Sequence, residues 1–521
     1  MPRPAGFIRI CAWVLLGLLL AGGMSSAEAK RRRPPKPSPP PPPPALVCTL
    51  PPAGGCNPLT VTEVDGLLAA ASSVAFPTLA VAVVDRPGNL LGLYTKGSPS
   101  LQVQDTAVGL ARTGAFFSNN QAPLSSRTVR FISGLHFPPG IARTPNAALY
   151  GIESTNRGCD LNVAFNSGCG LSPATSIGGG LCNAVNAAGC GTGPVTGKLG
   201  SPMDLDPFSV NPGGLPIFRG KELVGGIGVA GVPAAQIDSA EAAAFTAIVA
   251  SGTLSPVPSP LPEPQVVFID GVRLPFVRQT GGVPAGPPGV SAAPTVAGQC
   301  APEDYLAGPA AGSMLSVNEV KQIVQQAIDA ASRTRAVIRL PIGSRTKMVI
   351  AVGDVDGSIL ALYRMPDATV FSVDVAVAKA RNVAWFSGAG IFDLGLPPST
   401  AVTNRTVSFG AQPFFPAGID GSGPGPFFNL FTQNVSQPCR QGSDTGPNQN
   451  GVVYFPGSLP LYKGNVLVGG LGVSGDGVEQ DDYVSFLGAA GFLPPRSLWA
   501  DNLSVNGVRL PFLKFPRNPE Q

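Results

Sequence analysis

Few side chains in this chain are suited to chemistry, and their spacing limits what they can do. There is one histidine, His136, in Gly134-Leu135-His136-Phe137-Pro138. A single imidazole can complete a Ser-His-Asp triad once at most. It can otherwise serve as a ligand to iron, or be an ordinary loop residue. Tyr94, Tyr363 and Met365 end apolar stretches, where they could meet a flat ligand or fill a core. Arg364 adjoins Tyr363. Arg112 and Arg381 stand in Ala111-Arg112-Thr113 and Lys379-Ala380-Arg381. Each could grip a carboxylate with two parallel N–H bonds or form a structural salt bridge. The ligand-binding candidates are therefore His136, Tyr94, Arg112, Tyr363, Arg364 and Arg381, with no catalytic set and no metal site. Asp354 and Asp356 lack the spacing of an EF-hand loop and suit a turn.

The elements that must position these residues occur twice. Leu215–Gly231 reads LPIFRGKELVGGIGVAG and Leu459–Gly475 reads LPLYKGNVLVGGLGVSG, identical at 10 of 17 positions. A repeat of this kind has to be found before any fold is argued. Each copy reads as a hairpin, turning at Arg219-Gly220-Lys221 or Lys463-Gly464-Asn465, with a glycine-rich return strand. Glycines inside a strand weaken it and let another backbone or a flat ligand approach closely. Both copies also spell G-x-G-x-x-G. A dinucleotide site needs those glycines between a strand and a helix in a βαβ crossover. Here they lie within a strand reached through a hairpin, so the reading is structural.

Repeat one starts at Leu59 and repeat two at Leu315. Thr60-Val61-Thr62-Glu63 and Ser316-Val317-Asn318-Glu319 are capping boxes, followed by apolar residues at helical spacing. A hairpin with an Asp-x-x-Gly turn follows in each, then a second helix near Asp105–Phe117 and Ser372–Phe386. Insertions rich in Gly, Pro, Asn and Ser, 118–214 and 388–458, separate it from the glycine hairpin. Loops of that length are normally functional or partly disordered. A last helix closes each repeat, near Asp238–Ala250 and Glu479–Ala490. Both then end in the same hexapeptide, Gly271–Phe276 and Gly507–Phe512.

Arg3 and Arg9 flank the apolar run Cys11–Ala21, and Ala27-Glu28-Ala29 is an A-x-A cleavage site, the pattern of a secretory signal peptide. The chain is expected to be exported to a periplasmic or extracellular space, with no transmembrane anchor after cleavage. The net charge of +4 becomes +3 once Arg3, Arg9 and Glu28 are removed. Lys30, Arg31, Arg32, Arg33 and Lys36 carry more than that, which leaves the rest at about −2 and argues against nucleic acid. The basic run leads into a proline tract, a stiff spacer. The expected organisation is a signal peptide (1–29), a basic and proline-rich linker (30–47), domain 1 (48–276), a linker (277–299) and domain 2 (300–521). Eight cysteines remain after cleavage, and an even count in an exported chain implies disulfides. No C-x-x-C or C-x-x-C-H occurs, which disfavours zinc and covalent haem.

Repeat two's Val352–Met365, then Ala378-Lys379-Ala380-Arg381, then Gly469–Gly475 with Glu479-Gln480-Asp481, resembles the haem-binding HbpS/GlcG-like family. Repeat one follows the same order more loosely. The resemblance implies an α+β fold of two profilin-like α/β/α domains. Each would be a five-stranded antiparallel sheet flanked by helices and carrying a long irregular insertion, in a chain that forms homo-oligomers. It also implies haem, or a similar planar tetrapyrrole, as ligand. Many members have a histidine after the Asp-x-x-Gly turn; here that position is Asn89 or Ser358, so the other candidates would have to serve. The alternative is an envelope structural or protein-interaction module that keeps the fold without the ligand site, and either ranks ahead of an enzyme. Repeat two owns only Cys300 and Cys439. If the repeats share a fold, Cys300–Cys439 is the expected bridge, and Cys48–Cys159 or Cys56–Cys159 its counterpart. Each would pin an insertion to the start of its repeat.

Overall fold

The structure is a computed structural model. It describes residues 56–133, 152, 211–258, 267–269, 272–287, 295–339, 341, 343–416, 422–436 and 451–521, all within one compact unit, Leu46–Gln521. The expected signal peptide, the proline tract, His136, Cys48, Cys159 and Cys439 lie outside the described residues.

Repeat one is built from α1 (Val61–Ser72), β1 (Leu79–Asp85), β2 (Leu90–Lys96), α2 (Leu101–Phe117), α3 (Ser126–Ser133), β3 (Gly214–Arg219), β4 (Glu222–Ala230) and α4 (Asp238–Ala250), followed by the hairpin β5 (Val267–Ile269) and β6 (Val272–Leu274). Repeat two opens with β7 (Asp304–Ala307). It continues with α5 (Val317–Arg333), β8 (Val349–Gly353), β9 (Ile359–Arg364), α6 (Phe371–Phe386), α7 (Asn404–Gly410), α8 (Phe428–Ser436), β10 (Ser458–Lys463), β11 (Val466–Ser474) and α9 (Val478–Gly488), and ends in β12 (Ser504–Val505) and β13 (Val508–Arg509). The fold class is α+β, with antiparallel sheets between helices.

The sheet orders are β2-β1-β4-β3 and β10-β11-β8-β9-β7. Read outward from the glycine hairpin they are the same, so the hairpin holds one topological position in both repeats. Repeat two has the expected five strands; repeat one has four among the described residues. Both capping boxes are formed: Glu63 accepts from the Thr60 N–H and Glu319 from the Ser316 N–H, each at 2.8 Å. These satisfy helix N–H groups that would otherwise lack partners.

Strand alternation divides the core of repeat one. Ala80, Ala82 and Val84 of β1 join the cluster containing α2, while Leu79, Val81 and Val83 join the one containing α1 and α4. Period-two alternation puts successive side chains on opposite faces, so a strand buried on both sides is apolar throughout. The α2 face continues into repeat two, where Phe117 stacks on Phe371 with ring centroids 4.2 Å apart.

The insertions are not wholly irregular, contrary to the composition reading. Each contains, in its first part, a short helix (α3 or α7) that latches the terminal hexapeptide. Thr128 Oγ1 donates to the Pro275 carbonyl at 2.6 Å, and Thr406 Oγ1 to the Pro511 carbonyl at 2.7 Å. Ser125 bonds the Phe276 carbonyl and Thr403 the Phe512 carbonyl. Arg127 pairs with buried Glu241, and Arg405 with buried Asp482. The hexapeptide is duplicated because the same latch closes both repeats.

Candidate functional site

The glycine strands are the place to begin, because glycines inside a strand admit close approach by another backbone or a flat ligand. They meet their own helices instead. A Cβ added at Gly226 would lie 2.1 Å from the Ala111 carbonyl oxygen, and one at Gly228 2.0 Å from that of Ala107. In repeat two the distances are 2.2 Å from Gly470 to the Ala380 oxygen and 2.1 Å from Gly472 to the Ala376 oxygen. Glycine facing alanine lets strand and helix backbones nearly touch, which leaves no room for a flat ligand on that face.

Arg112 and Arg381 occupy equivalent positions, and both are buried. Arg112 Nε donates to the Gly88 carbonyl at 3.0 Å and Arg381 Nε to the Gly357 carbonyl at 2.9 Å. Each thus fastens an Asp-x-x-Gly turn to the helix behind it. Burial draws the Arg112 guanidinium down to about 10. Asp85 and Asp354 brace the same turns from within: Asp85 accepts the Asn89 N–H at 2.7 Å, and Asp354 accepts the Val355 N–H at 2.8 Å. Burial pushes the Asp85 carboxyl up to about 6.

Tyr94 and Tyr363 are also equivalent, opposite Val81 and Ile350, but their surroundings differ. Tyr94 is part of the repeat-one core with α1 and α4. Tyr363 is half-buried, edge-on to Tyr305 of β7 at 5.1 Å, because the extra strand places the two rings opposite each other. Burial, with Asp304 and Glu303 adding to it, raises the Tyr363 phenol above its ordinary value.

Tyr363 and Arg364 face a cavity of about 850 Å³ between the repeats. Repeat one supplies Arg86, Asn120, Glu222, Leu223 and Val224; repeat two and the segment before it supply Gln299–Asp304, Pro366 and Asp367. Arg364 Nε donates to the Ala368 carbonyl at 3.0 Å and its Nη1 to the Pro302 carbonyl at 2.8 Å. Arg86 donates to the carbonyls of Ala115 and Ser118. Burial, together with Arg364, pulls Arg86 down to about 9. Asp367 joins the two repeats: it accepts the Asn120 N–H at 3.0 Å and lies 3.5 Å from Arg339, which pairs with buried Asp476 at 2.8 Å. Of the six candidates, then, two share the cavity. Arg112 and Arg381 lie behind turns, Tyr94 is in a core, and His136 is outside the described residues.

The bridge expected for Cys300 is corrected. Cys300 is bonded to Cys56, not Cys439. The segment before it docks on repeat one, with Val296 N–H on the Leu91 carbonyl at 3.0 Å and Gly298 N–H on the Leu59 carbonyl at 2.8 Å, and this carries Cys300 to the start of α1. The same bond rules out the alternative Cys56–Cys159; the pairing of Cys48 with Cys159 falls outside the described residues.

A buried polar cluster in repeat two was missed. Lys379 Nζ lies 2.9 Å from Asp481 Oδ2, donates to the Val473 carbonyl at 2.7 Å and sits 5.1 Å from the Phe455 ring centre. Burial lowers the lysine and pushes Asp481 up to about 7. Nearby, Asn404 of the insertion links Asn382 of α6 to Val453 and Ser458 at the insertion's far end. The signal was a lysine in the middle of an otherwise apolar helix face. Arg86 and Asp367 carried no comparable signal.

Two related α/β units thus pack around a cavity with both apolar and charged walls, and comparison with known proteins places one of them beside a family. Residues 315–490, within the second repeat, match the HbpS-like family, described as haem degrading protein HbpS-like. Among solved structures the chain is similar to a PduOC:heme complex, at 22% identity and a TM-score of 0.24, over 35% of this chain and 95% of that one. It is similar to Klebsiella pneumoniae protein ORFY at 19% identity and a TM-score of 0.23, over 33% and 86%. It is also similar to a double mutant of Streptomyces reticuli HbpS at 17% identity and a TM-score of 0.22, over 34% and 88%. No curated protein matches the chain.

Proposed function

We propose that this is an exported binding protein for haem or a similar planar tetrapyrrole, held in the cavity between the repeats. The carrying observation is that cavity: its volume lies in the range of about 300–1,000 Å³ usual for small-molecule sites, and it belongs in part to a repeat of a haem-related family. The lining residues fit such a group in a particular way. Leu223, Val224, Pro302 and Pro366 supply apolar walls. Tyr363 supplies a phenol of the kind that can ligate haem iron. Cys56 and Cys300 are tied up in their disulfide, so neither offers a thiolate. Arg86 and Arg364 already bond carbonyls, and Glu222, Glu303, Asp304 and Asp367 line the same space. Ligand carboxylates would therefore be favoured toward solvent.

The second reading, an envelope interaction module without a ligand, draws on Arg112 and Arg381 both being spent on turn carbonyls. A haem titration followed in the Soret band separates the two. Binding with a shifted Soret band is expected, weakened roughly ten-fold by Tyr363→Phe through loss of the iron-ligating phenol. Absence of any shift supports the interaction module. A shift untouched by Tyr363→Phe but abolished by His136→Ala would assign the iron ligand to His136 rather than Tyr363.

A further inference from the structure

The two repeats are closed along the same edge by equivalent straps that arrive from different parts of the chain. In repeat two, Ala310 N–H bonds the Leu360 carbonyl at 2.8 Å, Gly312 N–H the Leu315 carbonyl at 2.8 Å, and Ser313 N–H the Asp354 carboxylate at 2.5 Å. That strap runs directly into Leu315 and α5. In repeat one, Val296 N–H bonds the Leu91 carbonyl, Gly298 N–H the Leu59 carbonyl, and Gln299 N–H the Asp85 carboxylate at 3.0 Å. The partners correspond one for one, Leu91 with Leu360, Leu59 with Leu315 and Asp85 with Asp354. The repeat-one strap, however, comes from beyond the C-terminal end of its repeat. Its next residue, Cys300, is joined covalently to the start of α1 only by the disulfide to Cys56, across 244 residues of sequence.

We propose that Cys56–Cys300 is a clasp that replaces chain continuity, and that it holds the strap shut over the cavity between the repeats. Cys56, Gln299, Cys300, Ala301, Pro302 and Glu303 all form the cavity wall. The strap is hinged on repeat two, where Arg364 holds the Pro302 carbonyl and Glu303 accepts the Asp367 N–H at 2.8 Å before the chain enters β7. It is latched on repeat one by the disulfide and three N–H bonds, in a segment where Val296 is half exposed. Opening exchanges the S–S bond for two thiols while a dithiol reductant is oxidised to its own disulfide. The latch is then left with those three hydrogen bonds and one from the Thr295 hydroxyl to Asp65 at 2.9 Å, at a solvent-facing edge and each of small net value. In repeat two the peptide bond cannot be opened this way, so only the repeat-one side can release.

The inference rests on the ligand reading only for what lies behind the strap. The test is read without ligand, so a failed haem titration leaves it standing. Hydrogen exchange is compared between the wild-type chain and Cys56→Ser/Cys300→Ser. The amides of Val296, Gly298 and Gln299 should exchange roughly ten-fold faster or more, while those of Ala310, Gly312, Ser313 and the β1 and β8 strands stay as they were. Brief dithiol treatment of the folded wild-type chain should give the same local pattern, which covers a variant that folds poorly. Unchanged exchange in the strap overturns the clasp. Loss of protection throughout repeat one in both experiments also overturns it, since the disulfide would then hold the repeat rather than its strap.

Discussion

Replacing Gly472 with alanine tests the central packing argument most directly. The new Cβ would stand 2.1 Å from the Ala376 oxygen and 2.5 Å from the Ala380 nitrogen. Both are backbone atoms of α6, so no side chain can rotate away. Restoring ordinary contact means moving the helix about 1 Å off β11 along its length, which loosens packing that has almost no free volume. Overpacking typically costs about 1–3 kcal/mol, and a backbone-to-backbone clash belongs at the upper end. For a domain of this size about 3 kcal/mol corresponds to a fall in Tm of roughly 6–12 °C. Thermal and urea unfolding of Gly472→Ala should show that loss. Gly66→Ala is the control: nothing lies within 4 Å of its added Cβ, and it is in α1. It should gain about 0.5–1 kcal/mol from helix propensity. If Gly472→Ala unfolds within about 1 kcal/mol of wild type, the account of the glycine strand is wrong, and a ligand-facing role for it reopens.

Two further tests address buried charge. Lys379→Met should destabilise repeat two by about 3–5 kcal/mol, because it leaves Asp481 buried without its cation. Lys379→Met/Asp481→Leu should recover most of that in urea unfolding, and a double variant no better than the single would contradict the pairing. Asp85 gives a pH dependence. Its carboxyl is raised from 3.8 to about 6, so the folded state binds the proton more tightly than the unfolded chain. Its contribution to stability is full below pH 3.8 and is lost as pH rises through about 6. The ceiling on that change is about 3 kcal/mol. Asp85→Asn should flatten this part of the stability profile measured from pH 4 to 8; an unaltered profile would remove Asp85 as its source.

Much of the architecture follows from local sequence. The capping boxes, the apolar spacing of α1 and α5, the Asp-x-x-Gly turns and the duplicated glycine hairpin each depend on residues a few positions apart, so one sequence is enough to read them. Comparing the repeats could have gone further. Ser125-Ser126-Arg127-Thr128-Val129 against Thr403-Asn404-Arg405-Thr406-Val407 marks the latch helix inside what composition alone describes as loop. What tertiary structure decided is which surfaces meet. A glycine strand admits close approach by any flat partner, and only the packed fold makes that partner the alanine face of α2 or α6. Arg112 could equally have gripped a ligand carboxylate or a turn carbonyl, since the guanidinium serves both. The repeat pattern put Cys300 with repeat two, yet its sulfur bonds in repeat one, because the strap before it docks on β2. Arg86 and Asp367 line one cavity although they lie in turns of different repeats. Contacts between distant residues leave no periodicity in the chain, so they become visible only when the two repeats pack together.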